Sequence, residues 1–256
     1  MPVHVHADEE EHFHVLAGSG LSWQNGQVFE VAVGDTIVHR ARAEAHTIIA
    51  GPDGLDVLAF GSGSETGMTW LPRAQAWWMG PHWLPSDGPN PFAAEIAAGE
   101  LELPEPTAQR PANIIALADA EAGTTDRDGY RERWRVLAGS AGSVKAGLNH
   151  GILEPGQIPC PPHWHALEEE CFVVLGGSGE AWLGDERFPV ERGHVMVCPP
   201  SSGIAHALCG GPDGLEYLGY GTRVVGDYAW MSRSRKFTFR HGIVGRLVEA
   251  DYFDGE

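Results

Sequence analysis

The chain has 256 residues, of which 17 are Lys or Arg and 35 are Asp or Glu, so its formal net charge at pH 7 is −18. This acidic surplus argues against nucleic acid or an anionic membrane as a partner. No run of 18 apolar residues and no basic-then-apolar leader occurs in the sequence, so we expect neither a membrane span nor a secretory signal. Four cysteines without a CxxC pair predict free thiols and a cytoplasmic protein.

The first quarter of the chain predicts short strands separated by tight turns. Asn25-Gly26 is typical of a hairpin turn, and Pro52-Asp53-Gly54 is typical of a type I turn. Short strands at this spacing indicate an antiparallel sandwich or barrel. The predicted strands are 11–16, 20–24, 27–33, 36–39, 46–50 and 55–60.

A segment rich in proline and glycine, 85–112, follows the first strands and predicts a linker. Within it, the residues from Phe92 to Leu101 favour a short helix. Asn90 is the expected N-cap, and Pro91 suits the first helical turn. Further prolines at 104, 106 and 111 end the helical pattern.

The second half of the chain contains a group of residues typical of a metal site. His163 and His165 stand at i and i+2, so both side chains project from one face of a strand. Glu170 then opens an apolar run that predicts the next strand, with Gly176 and Gly177 as the turn out of it. His206 follows another predicted strand and a proline-containing loop. We expect these three imidazoles and one carboxylate to converge on one divalent cation.

The same group occurs earlier in the chain. His4, His6 and Glu11 lie 159 residues before His163, His165 and Glu170, and His46 lies 160 residues before His206. A duplication that keeps every candidate ligand in place predicts two copies of one fold, each with its own metal site. The register also holds outside the ligands, because Trp70 and Arg73 match Trp230 and Arg233.

These two groups resemble the signature motifs of the cupin superfamily. The first motif, Gly-x5,6-His-x-His-x3,4-Glu-x6-Gly, corresponds to Gly156, His163, His165, Glu170 and Gly177, and the second to Gly193, Pro199, Pro200 and His206. The resemblance implies an all-β double cupin (bicupin), with two jelly-roll barrels in tandem. The Trp-x-x-Arg stretch and residues 251–256 are also similar to those of bacterial double-cupin proteins.

We divide the chain into an N-terminal cupin repeat at 1–84, the linker at 85–112, a C-terminal cupin repeat at 113–222 and a closing tail at 223–256. The second repeat has about fifty residues before its motif, whereas the first has three. The first barrel is therefore expected to lack its opening strands within this sequence. Either the start lies upstream or another segment fills the open edge, and we predict a homodimer because open apolar edges promote association.

Strand alternation predicts which neighbours of the ligands face inward. If Glu11 and Glu170 face the metal, Phe13, Val15, Phe172 and Val174 line the substrate cavities. His12 and His14 then lie at the surface or at an interface. Acidic residues beside the motifs, which include Glu10 and Glu168, are expected to be solvated.

A site with three histidines and one glutamate suits Fe, Mn, Ni, Cu or Zn. The leading hypothesis is a metal-dependent oxygenase, similar to a dioxygenase, that acts on a small chelating organic substrate. Alternatives are a metal-dependent isomerase or lyase of a sugar or small acid, and a small-molecule-binding cupin without turnover. An isomerase or lyase needs an inward acid–base group, and the sequence indicates none. We expect the second site to be the working one because its barrel is complete.

Overall fold

A computed structural model describes residues 1–64, 67–240, 242–248 and 250–253. The chain forms two compact units, and the prediction of two cupin barrels in an all-β chain is confirmed. Unit 1 comprises Met1–Glu121 and Val136–Ala146, and unit 2 comprises Ala122–Arg135 and Gly147–Glu256. Of the C-terminal stretch at 251–256, residues 254–256 lie outside the described residues. No helix in the described part of the chain is both long and apolar enough to cross a lipid bilayer.

Unit 1 contains a large sheet and a small sheet. The large sheet has the order β3-β2-β4-β9, with β5 also paired to β2, and the small sheet has the order β1-β6-β7-β8. The strands are β1 Val5–His6, β2 Glu11–Gln24, β3 Gln27–Ala32, β4 Asp35–His39, β5 His46–Gly61, β6 Met68–Leu71, β7 Ala76–Met79, β8 His82–Leu84 and β9 Ile114–Ala116. Helix α1, Pro91–Ala97, is shorter than predicted, and the Asn90 side chain caps it by accepting from the Phe92 N–H.

Unit 2 repeats this plan with additional strands. Its large sheet has the order β10-β11-β12-β17-β14-β15, with β16 also paired to β14, and its small sheet has the order β13-β18-β19-β20. The strands are β10 Glu121–Arg127, β11 Tyr130–Val136, β12 Ala146–Leu153, β13 Trp164–His165, β14 Glu170–Leu183, β15 Glu186–Glu191, β16 Val195–Cys198, β17 His206–Thr222, β18 Tyr228–Met231, β19 Lys236–Phe239 and β20 Val244–Arg246; helix α2, Leu137–Ser140, lies between β11 and β12 in the sequence. All four cysteines are free thiols.

The strands next to the motifs are longer than predicted. The sequence predicts breaks within 11–24 and 46–60, but each stretch is one strand, β2 or β5. The antiparallel ladder continues through the glycines with register shifts on both sides of Gly18, and the ladder of β14 shifts in the same way around Gly177. These glycines therefore bend a continuous pair of antiparallel strands and do not end either strand.

The two units differ at the edge where their opening strands are expected. In unit 2, β17 pairs with both β14 and β12. In the described part of unit 1, β5 has β2 as its one strand partner, apart from a bridge between His4 and His46. The prediction that the first repeat lacks opening strands therefore agrees with the pairing.

The boundary at 113 needs correction, because residues 113–121 and 136–146 lie in the first unit. Strand β9 pairs with β4 in the register Asp35↔Ala116, and the Asn113 side chain donates to the Val38 carbonyl. Both contacts attach the start of the predicted second repeat to unit 1. The closing tail also needs a more specific description, because β18 pairs with β13 and thus belongs to the small sheet of unit 2.

The outer face of β2 is buried, which corrects the expectation of surface histidines. His12 and His14 are 0% and 3% exposed, and Glu10 is also 0% exposed. Glu10 accepts hydrogen bonds from the Ser143 hydroxyl and from the N–H groups of 144 and 145. Because helix α2 packs on β4, the segment from 137 to 145 covers this face.

Glu10 is consequently a buried carboxylate with strong partners. Burial alone would raise its pKa, but the contacts with His12, Ser143 and two backbone N–H groups outweigh burial and lower the pKa to about 2. A depressed folded-state pKa means that the carboxylate stabilises the fold above its ordinary pKa of 4.5, and that this contribution is lost as the pH falls toward 2.

We expect Glu10→Gln to lower the free energy of unfolding by about 2 kcal/mol at pH 7. The NH2 group of the amide cannot accept the hydrogen bonds that the Ser143 hydroxyl and the backbone N–H groups donate to the carboxylate. Urea denaturation between pH 7 and pH 3 measures the difference, which should shrink below pH 4.5. Glu30→Gln is the matched control, since Glu30 is exposed and the change should have little effect. An equal loss in both variants would contradict the role of Glu10.

Candidate metal centres

The first set of predicted ligands comes together in unit 1. Glu11 Oε2 lies 3.3 Å from His4 Nε2, 3.7 Å from His6 Nε2 and 3.0 Å from His46 Nε2. One ligand atom of each residue lies within 4.8 Å of the others. The His6 Nε2 atom is buried and, among the described residues, has no hydrogen-bond partner. A buried ring nitrogen that faces a carboxylate and two more imidazoles fits a transition-metal ion.

The second set lies around Glu170 in unit 2. Glu170 Oε2 is 2.7 Å from His206 Nε2, 3.4 Å from His165 Nε2 and 3.7 Å from His163 Nε2. His163, Glu170 and His206 form a group whose ligand atoms lie within 4.8 Å of one another. His165 is outside that group and belongs to another, with Glu168 and Asp227. All three predicted histidines therefore lie around Glu170, although His165 is outside the 4.8 Å group.

Backbone carbonyls fix the tautomer of several of these histidines. His4 Nδ1–H donates to the Pro2 carbonyl at 2.9 Å, and His163 Nδ1–H donates to the Pro161 carbonyl at 2.9 Å. His46 makes the same kind of bond, at 3.0 Å, to the Glu44 carbonyl. A carbonyl only accepts, so the proton is on Nδ1 and the Nε2 lone pair points at the glutamate. This arrangement prepares an imidazole to bind a metal ion.

The charges of the two sets follow from burial and mutual contact. Burial would raise the pKa of Glu170, but the hydrogen bonds from His165 and His206 hold it well below its usual range. Burial lowers the pKa of His163. For His165, burial also favours the neutral form, but the carboxylates of Glu170 and Asp227 outweigh it and raise the pKa to about 9.

In unit 2 a cavity lies beside the ligand set. This cavity, about 320 Å³, is lined by His163, Glu170 and His206, and Phe172 forms part of its wall. The other residues predicted to line cavities lie elsewhere: Val174 packs in the core of unit 2, and Phe13 and Val15 pack in the core of unit 1. The size is sufficient for a small organic molecule.

The cavity also contains a carboxyl group that the sequence analysis missed. Glu132, on β11, lines the cavity, and its Oε1 accepts a hydrogen bond of 2.5 Å from the Tyr217 hydroxyl. Burial raises the pKa of Glu132, and it also raises that of Tyr217. The alternation of Arg131, Arg133 and Arg135 on one face of this strand was the available signal, because it puts Glu132 on the opposite face.

A second group of acidic residues, Asp227 and Glu168, lies on the Nδ1 side of the His165 ring. Asp227 Oδ2 is 2.6 Å from His165 Nδ1. Glu168, expected to be solvated, is only 4% exposed; it accepts from the 224 N–H at 2.9 Å and from the Arg240 guanidinium. Glu168 and Arg240 both line the cavity. Neither Asp227 nor Arg240 lies in a motif, and their contacts with His165 and Glu168 span 62 and 72 residues of sequence.

Comparisons with known proteins agree with this geometry. Residues 149–210 match the Cupin_2 family, described as a cupin domain. The chain is similar to oxalate decarboxylase from Bacillus subtilis, with 19% identity and a TM-score of 0.54, over 86% of this chain and 63% of that protein. Another structure of the same protein, from work on its Mn(II) centres, has 19% identity and a TM-score of 0.55 over 88% of this chain and 66% of that one.

Another solved structure matches a smaller part of the chain. A sugar phosphate isomerase from Silicibacter pomeroyi has 20% identity and a TM-score of 0.47, over 55% of this chain and 93% of its own. No curated protein matches the chain in sequence. At these identities the likeness to solved structures establishes the fold, and this chain spans less than two thirds of oxalate decarboxylase in the first of those comparisons.

The raised pKa of His165 predicts that metal binding to the second set releases a proton. The imidazole keeps its proton up to about pH 9, and a bound metal ion must displace it. The apparent affinity for Mn²⁺ should therefore rise about tenfold per pH unit from pH 7 toward pH 9 and then level off. Calorimetry on His6→Ala, which disables the first set, measures this; an affinity independent of pH would contradict it.

Proposed function

We propose that this chain, whose two units have the cupin fold, is a metal-dependent enzyme that converts a small chelating organic substrate in the cavity of unit 2. The observation that supports this is the position of His163, Glu170 and His206, which converge at the wall of a cavity of about 320 Å³. Together with His165, they would hold a divalent transition metal. Bound there, the metal would polarise an oxygen atom of the substrate.

Unit 1 is better suited to a structural ion. His4 and His46 are 4% and 1% exposed, and a further imidazole, His39, stacks on His46 with 3.6 Å between ring centroids. Buried imidazoles packed in this way are typical of structural metal sites, whereas catalytic sites keep a position open to substrate. We therefore assign turnover to unit 2 and a stabilising role to the first set.

Proton transfer is the reaction class that the cavity supports best. Glu132 faces the same cavity as the ligand set, and the Tyr217 hydroxyl orients its carboxyl group. Burial raises the pKa of Glu132, which makes its carboxylate a stronger base near neutral pH. Tyr217 keeps its proton because burial and the neighbouring Glu132 raise its pKa well above the ordinary value. This pair supplies the acid–base group that an isomerase or lyase needs.

An oxygenase remains the second candidate. Phe172 and Leu208 give the cavity an apolar wall beside His206, and Phe172 lies 5.9 Å from the His206 ring. An apolar wall next to a metal ion with open positions favours binding of O2 beside a chelated substrate. The two candidates differ in what they consume, so one experiment separates them.

We expect Glu132→Gln to reduce turnover at least 100-fold, because a general base typically contributes a factor of 10² to 10⁴. Bound metal should stay at the wild-type level, since Glu132 is not a ligand. Turnover is measured on a panel of small hydroxy acids and sugar acids: NMR detects the product, and an oxygen electrode detects oxygen consumption. Oxygen consumption coupled to product, together with an active Glu132→Gln variant, would favour the oxygenase instead.

We also expect the two ligand sets to respond differently to mutation. His165→Ala should remove most turnover and about one metal ion per chain, because one of four ligands of the working site is lost. His6→Ala should keep turnover and lose the other ion. Elemental analysis and activity assays of both variants test this. The assignment would be reversed if His6→Ala were inactive and His165→Ala active.

A further inference from the structure

His165 differs from the other histidines of its set in how its tautomer is fixed. The Nδ1–H of His163 donates to a backbone carbonyl. In the described residues, the buried Nδ1 of His206 has no hydrogen-bond partner. Nδ1 of His165 instead contacts a carboxylate, Asp227 Oδ2, at 2.6 Å. His165 is therefore the histidine of this set whose proton is positioned by a side chain, and a side chain can be replaced.

The fold builds Asp227 into this position. Asp227 comes just before β18, and β18 pairs with β13 so that Ala229 is opposite His165. Its second oxygen, Oδ1, accepts from the Leu167 N–H at 2.7 Å and from the Glu168 N–H at 3.2 Å. Asp227 is 9% exposed. One carboxylate thus fixes both the backbone that follows His165 and the imidazole itself.

In the described residues of unit 1, no carboxylate lies within hydrogen-bond distance of the corresponding imidazole nitrogen, His6 Nδ1. The residue 160 positions before Asp227 is Gly67. The corresponding imidazole, His6, has its Nδ1 3.3 Å from the Thr69 hydroxyl and 3.7 Å from a Glu9 oxygen. These contacts are longer and less directional than the bond from His165 to Asp227. The two ligand sets can therefore be compared directly: in the described residues, a carboxylate is hydrogen-bonded to Nδ1 of His165 but not to Nδ1 of His6.

We propose that Asp227 is a positioning residue that holds the proton of His165 on Nδ1 and thereby aims the Nε2 lone pair at Glu170 and the metal. A neutral imidazole has one protonated nitrogen, so a carboxylate acceptor at Nδ1 leaves Nε2 as the ligand atom. Such an acceptor behind a metal-binding histidine typically changes metal affinity 10-fold to 100-fold. The proposal rests on the proposed function only in requiring that the second set bind a metal ion.

Two substitutions separate positioning of the proton from support of the backbone. In Asp227→Asn, the amide oxygen still accepts from 167 and 168, but the NH2 group faces Nδ1. Since NH2 only donates, it favours the tautomer with the proton on Nε2, which cannot bind a metal. In Asp227→Ser, the hydroxyl can accept the Nδ1 proton, although the side chain is shorter and supports the backbone less well.

We would measure Mn²⁺ affinity by calorimetry in the full-length His6→Ala protein, so that the second set is the one titrated. Asp227→Asn should bind Mn²⁺ about 10-fold to 100-fold more weakly, and Asp227→Ser should lose less than Asp227→Asn. A purely structural role predicts the reverse order, because asparagine keeps the shape and the backbone bonds. The absorption spectrum of bound Co²⁺, compared at saturation, should change more in the asparagine variant.

The matched control is Thr69→Val in the His165→Ala protein, where the first set is titrated. The affinity should change by less than threefold, because Thr69 contacts His6 only at long range. Equal affinities of Asp227→Asn and its parent, or a larger loss in Asp227→Ser, would overturn the proposal while leaving the metal site intact. Absence of Mn²⁺ binding in the His6→Ala parent would overturn the proposed function as well.

Discussion

Each candidate site depends on the bend in one long pair of antiparallel strands, β2 with β5 in unit 1 and β14 with β17 in unit 2. In unit 2 the ladder of β14 and β17 pairs Glu170 with Gly221 at one end and Leu183 with His206 at the other. Glu170 and His206 are therefore distant along the ladder, yet Oε2 and Nε2 are 2.7 Å apart. The paired strands β14 and β17 must therefore bend sharply, and they do so at Gly177. There φ is +71°, and a Cβ atom would lie 2.2 Å from the Gly214 carbonyl oxygen, so no larger residue fits without moving the backbone.

Gly18 makes the same bend in unit 1, with a Cβ position 2.1 Å from the Gly54 oxygen, yet the surroundings of the two sites differ. The ladder places His39 opposite Glu11, whereas Cys198 is opposite Glu170. His39 fills space next to the first set, and burial lowers its pKa to about 4, so it remains a neutral ring stacked on His46. The smaller Cys198 packs in the core of unit 2, where burial raises the pKa of its thiol to about 12.

What the sequence could predict depended on separation along the chain. His163, His165 and Glu170 lie within eight residues, and His206 follows the proline-containing loop of the second motif, so the cupin fold and the candidate ligands could be read from the sequence. Glu10, Glu168 and Asp227 were not, because each is buried by partners that are distant in sequence, and an acidic residue with unknown partners is normally expected in solvent. The strand breaks were wrongly predicted at glycines that bend a ladder, since a turn and a bulge have the same residue preference.

Strand β11 of unit 2 carries the proposed acid–base group. Glu132 and Trp134 project into the cavity from β11, one of the opening strands of unit 2. Gly151 on the neighbouring β12 makes room for the Glu132–Tyr217 pair, because a Cβ there would lie 2.5 Å from the Tyr217 ring and 2.6 Å from Glu132 Oε1. In the described part of unit 1 the ligands and the bent strand pair recur, but no further strand pairs with β5 as β12 pairs with β17. We therefore place the proposed proton transfer in the second cupin, where Glu132 lines the cavity.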